Sequence, residues 1–402
     1  MPRVLRLWLA GFVVAACLCP CTARASGLQV PHLGGRDAGL SGNVVATPTD
    51  GSSILLFNAA GVVDRHGTEV NASIIGSGVS GRYTNSETGY DQKSSETPFA
   101  PVLWVASDWL SPWYVGAGVY GTVGSAFNFP AEPSVGVPEQ YLSEFGFMQL
   151  GLVVGREIVP GLRVGLQAAP TWGRMRTRTS SPLGAIHFDI NGFGITGSAG
   201  VLYDPIEGTT LGVSYRGPGI VFMKGDGEVA GQDQDVSIDF HIPQSIVTGI
   251  AHRLGTRLLV TAQATWTDYP NFENGEFEFE DFPQLRPKFV SDARSTVRYG
   301  LGLEYAVSDW LWLRTGFSRE EWMMEASALS PLLYDTSDSM LMLGLGVAHG
   351  RWTIDASVGF AVMEDRLVSP TDQALYPGRY QIESSPGVSI SVAYRFDTPR
   401  VN

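Results

Sequence analysis

Apolar and polar residues alternate with a period of two over most of this chain. In the last such stretch, VSISVAYRF, Val388, Ile390 and Val392 share one side of a strand. Ser389 and Ser391 lie on the other side, because successive strand side chains face opposite sides of a sheet. Amphipathic helical periodicity is scarce. The alternation predicts fourteen strands, at about 67–83, 99–109, 112–123, 143–157, 161–173, 189–204, 208–224, 236–254, 257–269, 291–308, 310–322, 337–349, 351–365 and 380–396.

Short and long connections alternate between these strands. The short ones are tight turns of one to three residues, and the long ones lie at about 84–98, 124–142, 174–188, 225–235, 270–290, 323–336 and 366–379. Outer-membrane barrels have short periplasmic turns and long extracellular loops, whereas a soluble sandwich has no reason to place every long loop at one end. An even strand count also returns the C-terminus to the periplasmic side. The pattern predicts an all-β fold, a 14-stranded antiparallel transmembrane barrel.

The two faces of the predicted strands differ in polarity. Within 291–308, for example, Leu301 and Leu303 alternate with Gly302 and Glu304. A soluble protein would bury the apolar face, whereas a membrane barrel turns it to lipid and places aromatic residues near the strand ends. We therefore expect the apolar faces, including that of Val388–Phe396, to contact lipid. The alternative is a large soluble β-sandwich or a secreted barrel.

The first 25 residues are typical of a secretory signal peptide. Arg3 and Arg6 precede a short apolar run, and the small residues Ala23 and Ala25 mark a cleavage site. The three cysteines, at positions 17, 19 and 21, lie before this site, so the mature chain has no disulfide or cysteine–metal site. An alternative is a lipoprotein cleavage box, after which Cys17 would be lipidated.

The remaining chain is predicted to have three parts. Residues 26–66 show little alternation and many glycines, which suits an N-terminal hatch inside a barrel at 67–396, followed by a short tail at 397–402. The net charge of −13 argues against nucleic acid, whose binding requires a basic face. No catalytic triad is recognisable, so we expect no enzyme activity, no cofactor and no metal site.

Inward-facing residues determine what such a barrel admits. Four large apolar residues are predicted to face the lumen: Phe145, Phe147, Met340 and Met342. They suit either a hydrophobic ligand or packing against the hatch. A ligand carboxylate would need a cation, and the candidates are Arg163, Arg216 and Arg298. Ion pairing within the barrel is the competing explanation for each of them.

The third predicted strand, PWYVGAGVYGTV, places Tyr114 and Tyr120 on one face with Gly116 and Gly118 between them. Glycine inside a strand often marks a bulge or a kink. The alternative is that the two glycines make room for the tyrosine rings.

Several segments, in order, resemble one family. The hatch contains GGRDAG, then DGSS, then Asn58-Ala59-Ala60-Gly61. The later segments are YDPIEGTTLGVSYRGPGIVFMKGDGEV, IPQSIVTGIAHRLGTRLLVTAQATWTDYPNF, VRYGLGLEYAVSDWLWLRTGFSREE and YPGRYQIESSPGVSISVAYRF. The chain resembles the FadL family, outer-membrane transporters of long-chain fatty acids and other hydrophobic compounds. The family has Asn-Pro-Ala-Gly in the hatch, and here Ala59 replaces the proline.

The resemblance implies passive transport through the Gram-negative outer membrane. A hydrophobic ligand, a fatty acid or a hydrocarbon, would be captured by extracellular loops, enter a pocket in the barrel and leave sideways at the kinked third strand. The implied partners are this ligand, the barrel-assembly machinery, and outer-membrane lipid with lipopolysaccharide, and a monomer is expected. The acidic stretch 271–282 is a candidate for divalent ions that bridge lipopolysaccharide. The alternatives are a general hydrophilic porin and an outer-membrane lipid hydrolase.

Overall fold

The computed structural model of the chain describes residues 31–181, 184–370, 376–384 and 386–396. The expected signal peptide at 1–25 and the tail at 397–402 lie outside these residues. Most of the described chain is β-strand. Among its helices, none has the length and apolar character needed to cross a membrane.

The strands form a closed antiparallel barrel of fourteen spans. They are β1 (Thr68–Ser77), β2 (Val79–Asn85), β3 (Tyr90–Glu96), β4 (Phe99–Ser107), β5 (Tyr114–Phe129), β6 (Tyr141–Val159), β7 (Leu162–Ser181), β8 (Gly184–Ile206), β9 (Thr209–Arg216), β10 (Gly219–Val229), β11 (Gln232–Ile242), β12 (Ser245–Leu254), β13 (Leu258–Thr267), β14 (Phe277–Phe279), β15 (Thr296–Ser308), β16 (Leu311–Glu320), β17 (Asp338–His349), β18 (Trp352–Met363), β19 (Arg366–Val368), β20 (Gly378–Ser384) and β21 (Pro386–Phe396). The sheet closes because β1 pairs with both β4 and β21. Six spans consist of two strands separated by one or two residues, and in the ninth span nine residues separate β13 from β14. The predicted barrel is confirmed.

The lipid-facing and lumen-facing sides follow the predicted alternation. On β21, Val388 and Ile390 are exposed on the outside, whereas Ser389 and Ser391 are buried inside. On β15, Leu303 is likewise exposed, and Glu304 is buried. The outer surface of the wall is therefore apolar along these strands, as a hydrocarbon environment requires.

Three of the predicted long connections are strands. The segments 84–98, 174–188 and 225–235 are largely occupied by the hairpins β2–β3, β7–β8 and β10–β11. Their outward residues are polar, as Arg174 and Arg176 on β7 show, while Met175 between them is buried. Because the outward residues here are polar, a search for strands with an apolar outer face does not detect these segments. The acidic stretch 271–282 begins within a 3-10 helix, Tyr269–Asn274, and contains β14, which pairs with β11.

The segment from Pro31 to Arg65, which we call the hatch, fills the lumen. It contains helix α1 (Gly35–Gly39), helix α2 (Gly51–Leu56) and a 3-10 helix, Ala59–Asp64. Asp50 caps α2, since its carboxylate accepts the Ser53 N–H at 2.8 Å. Nearly all hatch residues are buried, and they contact inward-facing residues of the wall.

The topology predicts which turns face outwards. Gly231, between β10 and β11, and Gly255, between β12 and β13, lie at opposite ends of the barrel. Both have positive φ, 82° and 62°, and free space around them. A peptide tag inserted after Gly231 is expected to bind antibody on intact cells, and one after Gly255 only after permeabilisation. The reversed labelling pattern would contradict the orientation.

Candidate functional site

A buried ion network attaches the hatch to the wall. The Arg36 guanidinium of α1 donates to the Glu304 carboxylate at 3.0 Å. The same oxygen accepts from Arg314 at 2.7 Å, and Arg314 also donates to Asp355 at 2.6 Å. Two cations and two carboxylates thus compensate one another in a site shielded from water. The alternation of β15 and β16 already places Glu304 and Arg314 on the lumen side.

The Asn-Ala-Ala-Gly motif of the hatch forms a capped turn. The Asn58 amide donates to the carbonyl oxygens of Val45 at 2.9 Å and Val201 at 3.1 Å, and its Oδ1 accepts from the Ala60 N–H at 3.1 Å. Asn58 is therefore the N-cap of the 3-10 helix. Ala59 occupies the first helical position, where proline is tolerated and alanine has the same role. The substitution leaves the turn formed.

Above the hatch, a polar pocket lies against the inner wall. Arg216 and Arg298, two of the predicted lumen cations, both line it. Water-sized molecules can occupy about 60 Å³ of its volume, which is room for a few waters. The lining residues are Pro31, Gly42, Leu56, Phe57, Arg216, Ser245, Val247, Gln263, Thr265, Thr267, Tyr269, Arg298 and Glu320.

The two pocket arginines differ from the other lumen arginines in their partners. Arg216 donates to the Leu56 carbonyl at 2.9 Å, and Arg298 donates to the Ser318 hydroxyl at 2.7 Å. Within the described parts of the chain, neither guanidinium has a carboxylate oxygen within 4 Å. Arg163, the third candidate, is paired with Asp64 and Asp204, each at 2.6 Å. Arg216 and Arg298 thus retain donors for an anion, whereas Arg163 is structural.

The charge of the pocket also depends on Glu320, which lines it, and on the hatch residue His32, which lies near Arg298. Glu320 accepts from the Thr296 hydroxyl at 2.8 Å and from the Tyr269 hydroxyl at 3.4 Å. Burial, and secondly the Arg298 guanidinium, lower the pKa of His32 to about 3, so this hatch residue adds no positive charge. Among the described residues, no group of three His, Asp or Glu residues is arranged to hold a metal ion.

An aromatic cluster lies on the extracellular side of the pocket. Phe147 contacts Phe240 with ring centroids 4.6 Å apart, and Phe145 lies 6.5 Å from the same ring. Phe240 in turn contacts Phe272, which stacks on the pocket residue Tyr269 at 5.8 Å. We call this set, Phe145, Phe147, Phe240, Phe272 and Tyr269, the aromatic roof. Apolar rings therefore lie between the pocket arginines and the extracellular end of the barrel.

Met340 and Met342 face the lumen beside this pocket, and the Met340 Sδ lies 4.0 Å from a guanidinium nitrogen of Arg298. Both are buried in a small cluster with Ala38 of the hatch. The structure thus favours packing against the hatch as their role. Sequence reasoning also missed several pocket residues, namely Ser245, Gln263, Tyr269 and Glu320. The alternation of β16, which places Arg314, Ser318 and Glu320 on one face, could have identified the last of them.

The third span is regular at Gly116 and Gly118. There β5 pairs with β4 on one side and with β6 on the other. The Trp104 ring covers the inward side of Gly116, and a Cβ at Gly118 would lie 2.8 Å from Leu55 of the hatch. The glycines make room for these side chains, so the predicted kink does not lie at these two positions.

The irregularity of this span lies further along β5. Its pairing with β4 ends at Tyr120, and its register with β6 shifts between Gly121 and Val123. The inserted residue, Thr122, forms a bulge. We call this region, from Tyr120 to Val123, the β4–β5 break. Tyr120 points inwards and is buried, whereas Tyr114 lies near the periplasmic end beside His66.

Comparisons with known proteins agree with this architecture. The family model for outer membrane protein transport proteins (OMPP1/FadL/TodX) matches residues 118–397. No curated protein matches the sequence. The solved structure of a Pseudomonas aeruginosa FadL homologue is 15% identical, covers 92% of this chain and 100% of its own, and superposes with a TM-score of 0.79.

Two further solved structures share the fold. The Pseudomonas putida toluene transporter TodX is 16% identical over 92% of this chain and 100% of its own, with a TM-score of 0.76. The Ralstonia pickettii toluene transporter TbuX is 16% identical over 91% of this chain and 99% of its own, with a TM-score of 0.71. At these identities the similarity shows the barrel fold and does not identify the ligand.

Proposed function

The chain belongs to the OMPP1/FadL/TodX family of outer-membrane transport proteins for hydrophobic compounds, and from this premise we propose that its ligand is an amphipathic anion of the fatty-acid type. The observation that carries the proposal is the pair of pocket arginines, Arg216 and Arg298. The partners of these two guanidinium groups are uncharged: the Leu56 carbonyl for Arg216, and the Ser318 hydroxyl and the Met340 sulfur for Arg298. A neutral hydrocarbon would offer no acceptor to the remaining N–H donors of these two cations and would desolvate them. A carboxylate accepts charge-assisted hydrogen bonds from both.

The aromatic roof supplies the apolar part of the site. Its rings lie directly beyond Tyr269, so a carboxylate in the pocket would place the attached hydrocarbon chain among them. The hatch fills the lumen below, which disfavours an open hydrophilic pore. We propose that transport is passive and follows the concentration gradient of the ligand.

We propose that the ligand leaves through the wall at the β4–β5 break. A track of hydrogen bonds along the inner wall supports this route. Ser198, which pairs with Arg216 in the sheet, donates to Gln167 at 2.9 Å, and Gln167 donates to the Tyr120 hydroxyl at 2.8 Å. The track leads from the pocket to the point where β5 stops pairing with β4. Lateral release would also spare the ligand a passage through the hatch.

The arginine pair is tested by ligand binding. The Arg216→Gln/Arg298→Gln variant is expected to bind oleate at least ~100-fold more weakly, because two charge-assisted hydrogen bonds of roughly 1.5–3 kcal/mol each are lost. Binding of methyl oleate, which has the same chain without the charge, is expected to change less than about threefold. Both ligands can be measured by displacement of a fluorescent fatty acid from the purified barrel.

A surface variant serves as the control for this experiment. Arg174→Gln removes an exposed outward-facing arginine of β7 and should leave oleate binding unchanged. Equal losses for oleate and its methyl ester in the pocket variant would contradict carboxylate recognition.

A further inference from the structure

Two prolines interrupt the wall between the seventh and eighth spans at the same height. Pro218 separates β9 from β10, and Pro243 separates β11 from β12. The β9–β12 pairing ends at Arg216 and Ser245, and the β10–β11 pairing begins at Gly219. Continuing this register sets Pro218 opposite Pro243. Because proline has no N–H, neither residue can donate a ladder hydrogen bond to the other strand.

The inward–outward alternation is also broken on both strands. Arg216 points inwards and lines the pocket, yet the next buried inward residue of this span is Gly219, three positions later. On the facing strand Ile242 and Ser245 are buried at the same spacing, and Pro243 between them is buried as well. Both strands therefore bend at this height. We call the unpaired residues, 217–218 and 243–244, the seam.

Backbone groups of the seam bond away from it. The Gly217 N–H donates to the Gly197 carbonyl at 2.9 Å, on the side of β8. The Gln244 carbonyl accepts from the Asp268 N–H at 3.0 Å, beyond the end of β13. Each strand is thus held by its other neighbour. Opening the seam would leave these two backbone groups with their partners, which lowers the cost of parting the two strands at this point.

Side chains close the seam on the outer face. The Tyr215 hydroxyl donates to Gln244 Oε1 at 2.8 Å, and the Gln244 amide donates to Asp268 at 2.9 Å. A Cβ added at Gly217 would meet no atom closer than 3.7 Å, so the seam has spare room. A hydrogen bond between two side chains opens more easily than a β-ladder, because rotamer changes alone can break it.

The seam lies between the pocket and the lipid. Arg216 and Ser245 line the pocket on its inner side, while Tyr215, Ile220 and Ile246 are exposed on its outer side. The apolar outer band of this span runs from Leu211 to Phe222. With a strand rise of ~3.3 Å and the usual tilt, the seam lies roughly 15 Å above Leu211 in a band about 25 Å tall. It therefore opens towards the outer leaflet.

We infer that the seam admits the hydrocarbon tail of an amphiphile whose carboxylate is held at Arg216, so that the pocket exchanges ligand with the outer leaflet as well as with the medium. The inference rests on the proposed function for the headgroup. The ligand's carboxylate would bind in the cationic pocket inside the barrel. Its hydrocarbon tail would pass through the seam towards the lipid outside. Long-chain acids dissolve preferentially in membranes, so a side entrance would reach the larger store of ligand.

The test is photolabelling with a palmitic acid that carries a diazirine in its chain, applied to the purified protein in lipid vesicles. Adducts mapped by mass spectrometry are expected on residues 215–220 and 242–246. They should fall at least tenfold in the Arg216→Gln variant. A disulfide across the seam, made in the Gly217→Cys/Gln244→Cys variant, should lower them at least fivefold compared with the reduced form. Residues 22–402 contain no other cysteine.

A matched disulfide controls for loss of wall flexibility. Val213 and Thr248 face each other on the intact part of the same two strands, so oxidised Val213→Cys/Thr248→Cys protein should label like the wild type. Adducts confined to the aromatic roof would contradict the inference that the seam admits the tail, and would leave the proposed function unaffected. Seam adducts that persist in the Arg216→Gln variant and after cross-linking would mean ordinary boundary lipid, and would also overturn it. Absence of saturable adducts from the pocket, the roof and the seam would overturn the proposed function together with the seam.

Discussion

Glu304→Ala is expected to lower the free energy of unfolding by about 3–5 kcal/mol, because it leaves the buried Arg36 without its counter-charge and removes one of the two carboxylates that pair with Arg314. Glu304 is the shared acceptor of Arg36 from the hatch and Arg314 from the wall, at 3.0 and 2.7 Å. Asp355 can still compensate Arg314. Arg36 would keep hydrogen bonds to Thr47 but lose its ion pair. Urea unfolding in lipid vesicles, followed by tryptophan fluorescence, measures the loss.

A surface carboxylate gives the comparison. Glu383 also pairs with two cations, Arg82 and Lys93, but all three side chains are about a third exposed or more. Exposed pairs contribute ~0–1 kcal/mol, so Glu383→Ala should barely change the unfolding curve. If the two variants lose the same amount, the hatch network is not a source of stability.

Gly316→Val is expected to displace the hatch and make the barrel leaky to small hydrophilic solutes. A Cβ at Gly316 would overlap the Leu40 carbonyl group and lie 2.5 Å from the Ser41 nitrogen. These are backbone atoms of the hatch, so a rotamer change cannot relieve the contact. Overpacking of this kind costs about 1–3 kcal/mol or more. Swelling of proteoliposomes in small sugars should rise clearly above that of the wild type.

Gly146→Val is the matched substitution in a strand interior. At Gly146 of β6 an added Cβ would meet no atom within 4 Å, so the hatch stays in place and sugar permeability should not change. Heat-modifiable gel migration would show that both barrels are folded. If the Gly316→Val barrel stays impermeable to small sugars, the hatch can shift without opening a path for them through the barrel.

The wall of the barrel was predictable because lipid imposes a strict rule on it. Each lipid-facing position must be apolar, and β15 and β21 follow that rule in single-residue alternation. The hairpins β7–β8 and β10–β11 extend beyond the lipid, where the rule no longer applies. Their outward residues, such as Arg174 and Arg176, are charged, and the sequence was interpreted as loop there. On the inner side of these hairpins the two-residue alternation continues, since Met175 and Ile190 are both buried.

The candidate site was predictable only in part. Alternation correctly oriented Arg216 and Arg298, but it could not show that they share one pocket, since β9 and β15 are separated by the eighth and ninth spans. Nor could it show that Trp104 fills the space beside Gly116, because that depends on the rotamer of a residue on another strand. Pro218 and Pro243 can be read directly from the sequence. Their meaning depends on the register, which places them opposite each other.

The position of the hatch constrains the order in which the molecule can be assembled. The barrel closes through β1 and β21, the first and last strands of the sheet, so closure must await the end of the chain. The hatch directly precedes β1, and at Gly39 and Gly344 the fit leaves no space, since a Cβ on Gly344 would come within 2.9 Å of the Gly39 Cα. A segment fitted this tightly cannot be threaded into a finished cylinder. It has to fold against the inner face of an unfinished, still open sheet, which then wraps around it.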